Sequence, residues 1–257
     1  MPGPEEPLKL YKYRSFDSDL ARQSVENIIL NNRLYWQSPS AFNDPFDCQP
    51  NFIFGETSVQ RSAFARRAVR ANQDGLTQRH MRRAKKRIIA QRPARYNQQM
   101  LSLAFAEWMK ESAVACFSRI RDSELMWAHY AASHQGLCFE FTEIIPNFLA
   151  YDVQYCTERP VVNLTRWQYD QTFIEGLLTK SSAWSYEQEQ RMIDYRKPPG
   201  YRLFPARALT GIILGARMPE DDRATIKALV AQRATNLPVL QAVANTAKFK
   251  LDIVDSD

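Results

Sequence analysis

One segment, residues 180–193, alternates acidic, basic and apolar side chains and so restricts the backbone that it can adopt; its sequence is KSSAWSYEQEQRMI. Successive side chains of a β-strand point to opposite faces. A strand here would therefore place Glu187, Glu189 and Arg191 on one face. Because its aromatic and branched residues favour strands, we predict a strand rather than a helix. As a helix, Ser185 and Gln188 would instead form a capping box.

The two carboxylates of this segment allow two interpretations. Glu187 and Glu189 can pair with Arg191 as a structural ion pair, which the sequence alone favours. They can instead orient a sugar hydroxyl and stabilise an oxocarbenium-like cation, because such a cation is held by fixed negative charge. Both interpretations stay open at this point.

The composition indicates one folded domain. The chain has 257 residues, of which 45% are hydrophobic and 12% aromatic, enough to bury a large core. No run of about 18 apolar residues occurs, and the first residues lack the basic and apolar parts of a signal peptide. We therefore expect a soluble, cytoplasmic protein that does not contact a membrane. The four cysteines form no C-x-x-C motif, so no structural zinc or other metal site is expected.

The pattern of apolar residues predicts an α+β fold with a mixed or antiparallel sheet and flanking helices. The predicted strands cover residues 8–13, 33–37, 112–118, 136–141, 151–155, 208–215, 239–243 and 249–253. The predicted helices cover residues 19–31, 123–133, 166–180 and 219–235. We expect residues 1–257 to form a single domain.

A basic, helical insertion is predicted at residues 57–110. Residues 61–95 contain twelve Lys or Arg and one acid, so this segment carries +11 and the remaining chain −5. Such a surface can bind phosphate backbones, although a solvated helix face is the simpler interpretation. The cations that would contact a nucleic acid are Arg79, Arg82, Arg83, Lys85, Lys86 and Arg87.

A Pro- and Asx-rich stretch at residues 38–47 predicts a rigid turn. Asp44 and Asp47 could hold a hard cation, as a metal-dependent nuclease needs if Glu189 joins them. Alternatively, Asx side chains close the turn on their own backbone, which we favour. Asn43 could line a pocket, because rigid loops beside strands often do so.

Several motifs together resemble a widespread bacterial family known only as a domain of unknown function. They are FNDPFD at residues 42–47, CFS at 116–118, MWAHYA at 126–131 with His134 and Gly136, and Lys180 with Trp184, Glu187, Glu189 and Arg191. The resemblance extends from Tyr11 to about Gly215. It implies a shared fold but no established reaction, and the basic insertion is longer than such a domain needs.

The order of certain residues also resembles the layout of ADP-ribosyltransferase folds. In that layout an early Tyr13 or Arg14 grips NAD, with Arg14 on a phosphate, and Ser118 with Tyr130 supports the nicotinamide ribose. A late glutamate then hydrogen-bonds the ribose. The resemblance implies Glu189 as the essential carboxylate and Glu187 as its assistant. The predicted substrate site consists of Tyr13, Arg14, Asn43, Ser118, His129, Tyr130 and Arg191.

Three functions therefore remain open. The first is an ADP-ribosyltransferase-like or NAD-hydrolysing enzyme, for which NAD is a substrate and the partner is a nucleotide-like small molecule. The second is a nucleic-acid-binding module, in phage defence or stress response, that uses the basic residues 61–95. The third is a metal-dependent nuclease.

Overall fold

The computed structural model of the protein describes residues 9–53, 57, 59–60, 62–63, 66, 80, 82–83, 86, 109–142, 149–163, 174–194 and 197–256. The strands are β1 (Lys9–Arg14), β2 (Arg33–Trp36), β3 (Asn51–Ile53), β4 (Ala113–Ser118), β5 (Leu137–Thr142), β6 (Tyr151–Asp152), β7 (Gln154–Cys156), β8 (Val161–Asn163), β9 (Thr179–Ser181), β10 (Glu189–Asp194), β11 (Gly200–Leu203), β12 (Leu209–Leu214), β13 (Val239–Ala244) and β14 (Leu251–Asp255). We label three helices α1 (Asp19–Ile29), α2 (Glu124–Tyr130) and α3 (Glu220–Ala231). Short 3-10 helices cover Pro39–Ala41, Ser182–Glu187 and Ala206–Ala208.

The chain divides into two compact units. Unit 1 comprises residues 1–38, 112–153 and 182–257, and unit 2 comprises residues 39–111 and 154–181. Unit 1 contains a sheet of eight strands in the order β14-β13-β12-β5-β1-β4-β10-β6. Only the β12–β13 pair of this sheet is parallel, and its other pairs are antiparallel. This mixed, mostly antiparallel sheet with helices confirms the predicted α+β fold.

Apolar side chains cover both faces of the unit 1 sheet. On one face, residues of α1, β2 and α3 pack against strand residues such as Phe117, Phe139 and Phe141. On the other face, Trp127 of α2 packs with Tyr11 and Tyr13 of β1. Side chains of a strand alternate between faces, so the central strand β1 supplies both cores. The central strands of unit 1 therefore fix the positions of its candidate functional side chains.

Helix α1 shows why the local sequence selects a helix. Ser18 begins it, and the Ser18 hydroxyl accepts a hydrogen bond of 3.3 Å from the backbone N–H of Ala21. Such a cap satisfies one of the unpaired N–H groups of the first turn. Val25, Ile28 and Ile29 follow at helical spacing, and all three are buried. Position and burial confirm the predicted helix.

Unit 2 contains two parallel strand pairs among its described residues. Strand β3 pairs with β8, and β7 pairs with β9. The turn before β3 is closed as predicted, because the Asp44 carboxylate accepts a 2.9 Å hydrogen bond from the N–H of Phe46. The N–H of Asp47 donates in turn to the carbonyl of Asp44 at 3.1 Å. This confirms the predicted Asx turn at Asp44.

Three predicted elements are wrong in part. The continuous strand predicted at residues 180–193 is interrupted by the 3-10 helix Ser182–Glu187, so Glu187 precedes strand β10 instead of belonging to it. The strand predicted at residues 151–155 is two short strands, β6 and β7, that pair in different sheets. The helix predicted at residues 166–180 ends earlier: residues 174–177 are helical and β9 follows, while residues 164–173 lie outside the described part.

Within the described residues, no helix has both the length and the apolar character needed to cross a membrane. In the predicted insertion, the described residues 59–60, 62–63, 66, 80, 82–83, 86 and 109–110 are helical. The other residues of that insertion, apart from Thr57, lie outside the described part.

Candidate functional site in unit 1

Strands β1 and β4 are neighbours in the sheet but are joined at a single residue pair, Tyr11 with Ser118. Strand β10 pairs with β4 along all six of its residues, so the opposite edge of β4 faces β1. On that edge the N–H and carbonyl of Val114 bond to the carbonyl and N–H of Gln37, at 2.8 and 2.9 Å. The second half of β1 is therefore separated from β4, and we call this gap the β1–β4 split.

Two cations of β1 lie at the β1–β4 split. The ammonium of Lys12 donates a 2.7 Å hydrogen bond to the carbonyl of Cys116 and lies 5.1 Å from the centre of the Phe117 ring. Lys12 is buried, and burial, followed by the nearby charge of Arg14, lowers the pKa of its ammonium to about 7. Lys12 is not among the site residues predicted from the sequence. The sequence signal that could have identified Lys12 is its position between Tyr11 and Tyr13 in a buried strand.

Arg14 is the predicted phosphate-binding residue, and its surroundings fit an anion. Burial lowers the pKa of its guanidinium. Its Nε atom is buried and makes no hydrogen bond. Among the residues that the structure describes, no carboxylate forms an ion pair with Arg14. A cation placed in this way is costly unless a negative group joins it.

Glu189 and Arg191 form a two-point ion pair on β10. The Nε and Nη2 atoms of Arg191 donate to the two carboxylate oxygens of Glu189 at 2.7 and 2.8 Å. Arg191 is 0% exposed and Glu189 is 6% exposed. Burial and the adjacent Glu189 raise the pKa of the Cys116 thiol, so this cysteine stays protonated. This geometry is that of a structural ion pair, the simpler of the two interpretations of the sequence.

Glu187 is held at the end of the 3-10 helix by two central residues. The hydroxyl of Tyr130 donates a 2.6 Å hydrogen bond to Oε1 of Glu187, and the hydroxyl of Ser118 donates one of 2.6 Å to its backbone carbonyl. Gln188 then has a φ of 43°, a left-handed conformation that turns the chain into β10. The structure therefore brings together three predicted site residues, Ser118, Tyr130 and Glu187.

Rings from α2 and from the 3-10 helix Ser182–Glu187 lie beside this carboxylate. His129 is exposed, and its ring centre lies 6.2 Å from those of both Trp184 and Tyr186. The two latter rings are 6.0 Å apart. We call His129, Trp184 and Tyr186 the aromatic cluster. Partly exposed rings of this kind can stack on a planar ligand ring.

Tyr13 does not share the environment of Arg14. Its hydroxyl donates a 2.7 Å hydrogen bond to the carbonyl of Ile120, and its ring packs edge-to-face against Trp127 at 5.2 Å. Burial raises the pKa of its hydroxyl. Tyr13 is therefore a core residue, and the prediction that it contacts the substrate is not supported by its contacts.

The remaining predicted residues belong to unit 2. Asn43 is exposed there. Asp44 closes the turn described above, and Oδ2 of Asp47 lies 3.6 Å from the ammonium of Lys180. Among the described residues, no group of three or more His, Cys, Asp or Glu could jointly hold a metal ion.

Half of the cations predicted to bind nucleic acid can be placed. Arg82, Arg83 and Lys86 are helical and exposed. Arg79, Lys85 and Arg87 lie outside the described residues.

Comparison with known proteins adds no further identification. No protein-family model, no curated protein and no solved structure matches this chain.

Proposed function

We propose that unit 1 binds a nucleotide sugar of the NAD type and breaks its glycosidic bond, as an ADP-ribosyltransferase-like enzyme or an NAD glycohydrolase. The observation that carries this proposal is Arg14. Arg14 is half-buried, and its Nε is buried without a hydrogen-bond partner. A phosphate oxygen would supply the missing charge and acceptor, since arginine binds phosphate with charge-assisted hydrogen bonds.

Glu187 takes the role of the carboxylate that faces the ribose. Arg14 lies on the α1 face of the sheet, as its β5 partner Leu137 does, and Glu187 lies on the α2 face, so a ligand would contact both by passing through the β1–β4 split. The two oxygens of Glu189 are bonded to Arg191, so Glu189 is assigned the role of fixing the start of β10. Tyr130 and Ser118 hold Glu187 by its carboxylate and its carbonyl. The aromatic cluster would stack on a base or on nicotinamide.

The chemistry follows from these roles. The bond between the ribose C1′ and the nicotinamide nitrogen breaks, and its electron pair leaves with neutral nicotinamide. Positive charge develops on the ribose, where a fixed carboxylate lowers the barrier by electrostatic stabilisation. Water or an acceptor hydroxyl then forms the new bond to C1′ and releases a proton.

Measuring nicotinamide release from NAD, together with ADP-ribose binding by calorimetry, tests this proposal. Arg14→Gln should weaken ADP-ribose binding about tenfold or more, because one charge-assisted hydrogen bond contributes about 1.5–3 kcal/mol. Glu187→Gln should abolish turnover but retain binding. Arg33→Gln is the matched control, since Arg33 is exposed on β2 of the same unit. If folded Arg14→Gln protein binds ADP-ribose as tightly as the parent, the proposal is wrong.

A second function, nucleic-acid binding by unit 2, is supported by a separate observation. Arg82, Arg83 and Lys86 are exposed on helical backbone, where they can contact phosphates. Replacing all three by Gln should reduce the slope of log affinity against log salt by roughly 0.7–0.9 for each phosphate that the variant no longer neutralises. Lys248→Gln, at an exposed position of unit 1, serves as the control. An unchanged slope would exclude this helix as the binding surface.

A further inference from the structure

A cavity of about 160 Å³ lies in unit 2, independent of the residues that carry the proposed enzyme function. Its wall is formed by the turn around Phe46, by Cys156 and the following loop through Arg159, and by Thr179 and Lys180 of β9. Pockets for drug-sized ligands have volumes of about 300–1,000 Å³. This cavity therefore accommodates one ring system, with the rest of a ligand left in solvent.

The ring of Phe46 is left exposed to solvent at this cavity, which costs free energy. Phe46 is 62% exposed, whereas burying such a ring would contribute about 1.5–3 kcal/mol. The turn fixes its position, since the N–H of Phe46 donates to the Asp44 carboxylate at 2.9 Å. The neighbouring Asp47 is tied to Lys180 across the turn, with 3.6 Å between Oδ2 and Nζ, and both side chains are buried. The turn thus fixes the backbone position of Phe46, and its ring offers a flat surface at the cavity.

The guanidinium of Arg159 lies beside the Phe46 ring. The guanidinium carbon of Arg159 lies 5.1 Å from the centre of the Phe46 ring, a distance typical of a cation–π contact. Planar guanidinium groups and phenyl rings both stack on nucleobases. Two flat groups at one small cavity therefore favour a flat ligand ring.

Polar groups in the wall match the edge of a nucleobase. The amide of Gln49 is half-buried, and within the described chain it makes no hydrogen bond, so it offers both a donor and an acceptor. Glu158 and Thr157 line the same wall and carry polar side chains. We propose that this cavity of unit 2 binds a nucleobase, stacked at Phe46 and Arg159 and hydrogen-bonded along its edge.

Saturation-transfer NMR with AMP, GMP, UMP and CMP tests the inference in the full chain. Saturation should reach the base protons of at least one nucleotide. Phe46→Ala should weaken binding of that nucleotide about 5- to 150-fold, the range expected for loss of one base–aromatic stack. Phe249→Ala is the matched control, because Phe249 is fully exposed in unit 1. Arg159→Gln should also weaken binding while leaving the turn intact.

Alkylation of cysteine by iodoacetamide gives a second readout. Cys156 lies in the cavity wall and is half-buried. The bound nucleotide should slow alkylation of Cys156 in the parent protein, and Phe46→Ala should abolish this protection. No saturation of base protons, equal protection by benzoate, or binding that survives Phe46→Ala but not Arg14→Gln would each overturn the inference.

The base can arrive on a free nucleotide or within a single strand. A tetranucleotide of the preferred base is therefore measured beside the mononucleotide. Saturation of base protons that depends on Phe46 supports the inference for either ligand. Tighter binding of the tetranucleotide identifies a single strand as the source of the base, and tighter binding of the mononucleotide identifies a free nucleotide.

Discussion

Removing one partner of the Glu189–Arg191 pair should destabilise unit 1 strongly. The pair is buried and has two hydrogen bonds of 2.7 and 2.8 Å. Glu189→Gln leaves the buried Arg191 charge without its carboxylate, which typically costs about 3–5 kcal/mol. At about 2–4 °C per kcal/mol for a chain of this size, the melting temperature should fall by about 6–20 °C.

A double-mutant cycle separates a structural pair from a catalytic group. The cycle uses the single variants Glu189→Leu and Arg191→Met and the double variant that combines them, which removes both charges. Because replacing both partners by apolar groups is often close to neutral, the double variant should be more stable than Glu189→Gln. Urea titration gives the free energy of unfolding and its m-value for each protein.

An exposed ion pair provides the control for this cycle. Lys250 and Asp252 lie 2.7 Å apart with both side chains partly exposed. Asp252→Asn should leave the free energy of unfolding nearly unchanged, because exposed pairs contribute little. The reasoning is refuted if Glu189→Gln is as stable as the parent, or if the losses of the two single variants add up in the double variant.

Three further predictions concern the framework around the site. Burial lowers the pKa of Lys12 to about 7 from 10.5, so the unfolded chain binds more protons between these pH values and stability should rise with pH across the window. Lys12→Met should flatten this rise by up to about 1.4 kcal/mol per pH unit in urea titrations at pH 7 and 9.5. A Cβ at Gly136 would lie 2.2 Å from the carbonyl oxygen of Arg14, whereas one at Gly211 would lie 3.6 Å from its nearest neighbour. Gly136→Ala should therefore lower the melting temperature far more than Gly211→Ala, and equal changes would contradict the geometry. Ser18→Ala should cost about 0.5–2 kcal/mol of stability through loss of the α1 cap, measured by the same titration; no change would exclude a capping role.

The sheet was predictable where local periodicity reflects burial. Strands β1, β4, β5 and β12 all lie within two residues of their predicted limits, because their apolar side chains fill the two cores described above. Helices α1 and α3 were found by the same reasoning: Val25, Ile28 and Ile29 are buried in α1, and in α3 the buried Ile226 is followed by the partly buried Leu229 and Val230. Local patterns were sufficient because each element is amphipathic or apolar by itself.

The segment at residues 180–193 shows where local patterns fail. Its alternation continues through Gln188, but this residue adopts a φ of 43°, a conformation uncommon for residues other than glycine. The turn is stabilised by contacts from distant residues, including the hydroxyls of Ser118 and Tyr130. No periodicity within the segment carries that information.

The candidate site was predictable only in part for the same reason. Arg14, Ser118, Tyr130 and Glu187 were predicted from their order along the chain. The β1–β4 split, however, depends on Gln37 occupying the edge of β4, a choice made between segments far apart in sequence.

The discontinuity of unit 1 has a consequence for synthesis on the ribosome. Unit 2 ends at residue 181, whereas unit 1 requires β10 and β12 from residues 182–257 to surround its earlier strands. Strand β4 ends at residue 118 and its neighbour β10 ends at residue 194, so at about 5–20 residues per second roughly 4–15 seconds separate their synthesis. During that interval β4 lacks its β10 neighbour and presents a bare apolar edge. Nascent chains of this protein should therefore be most prone to association through this edge until β10 has been synthesised.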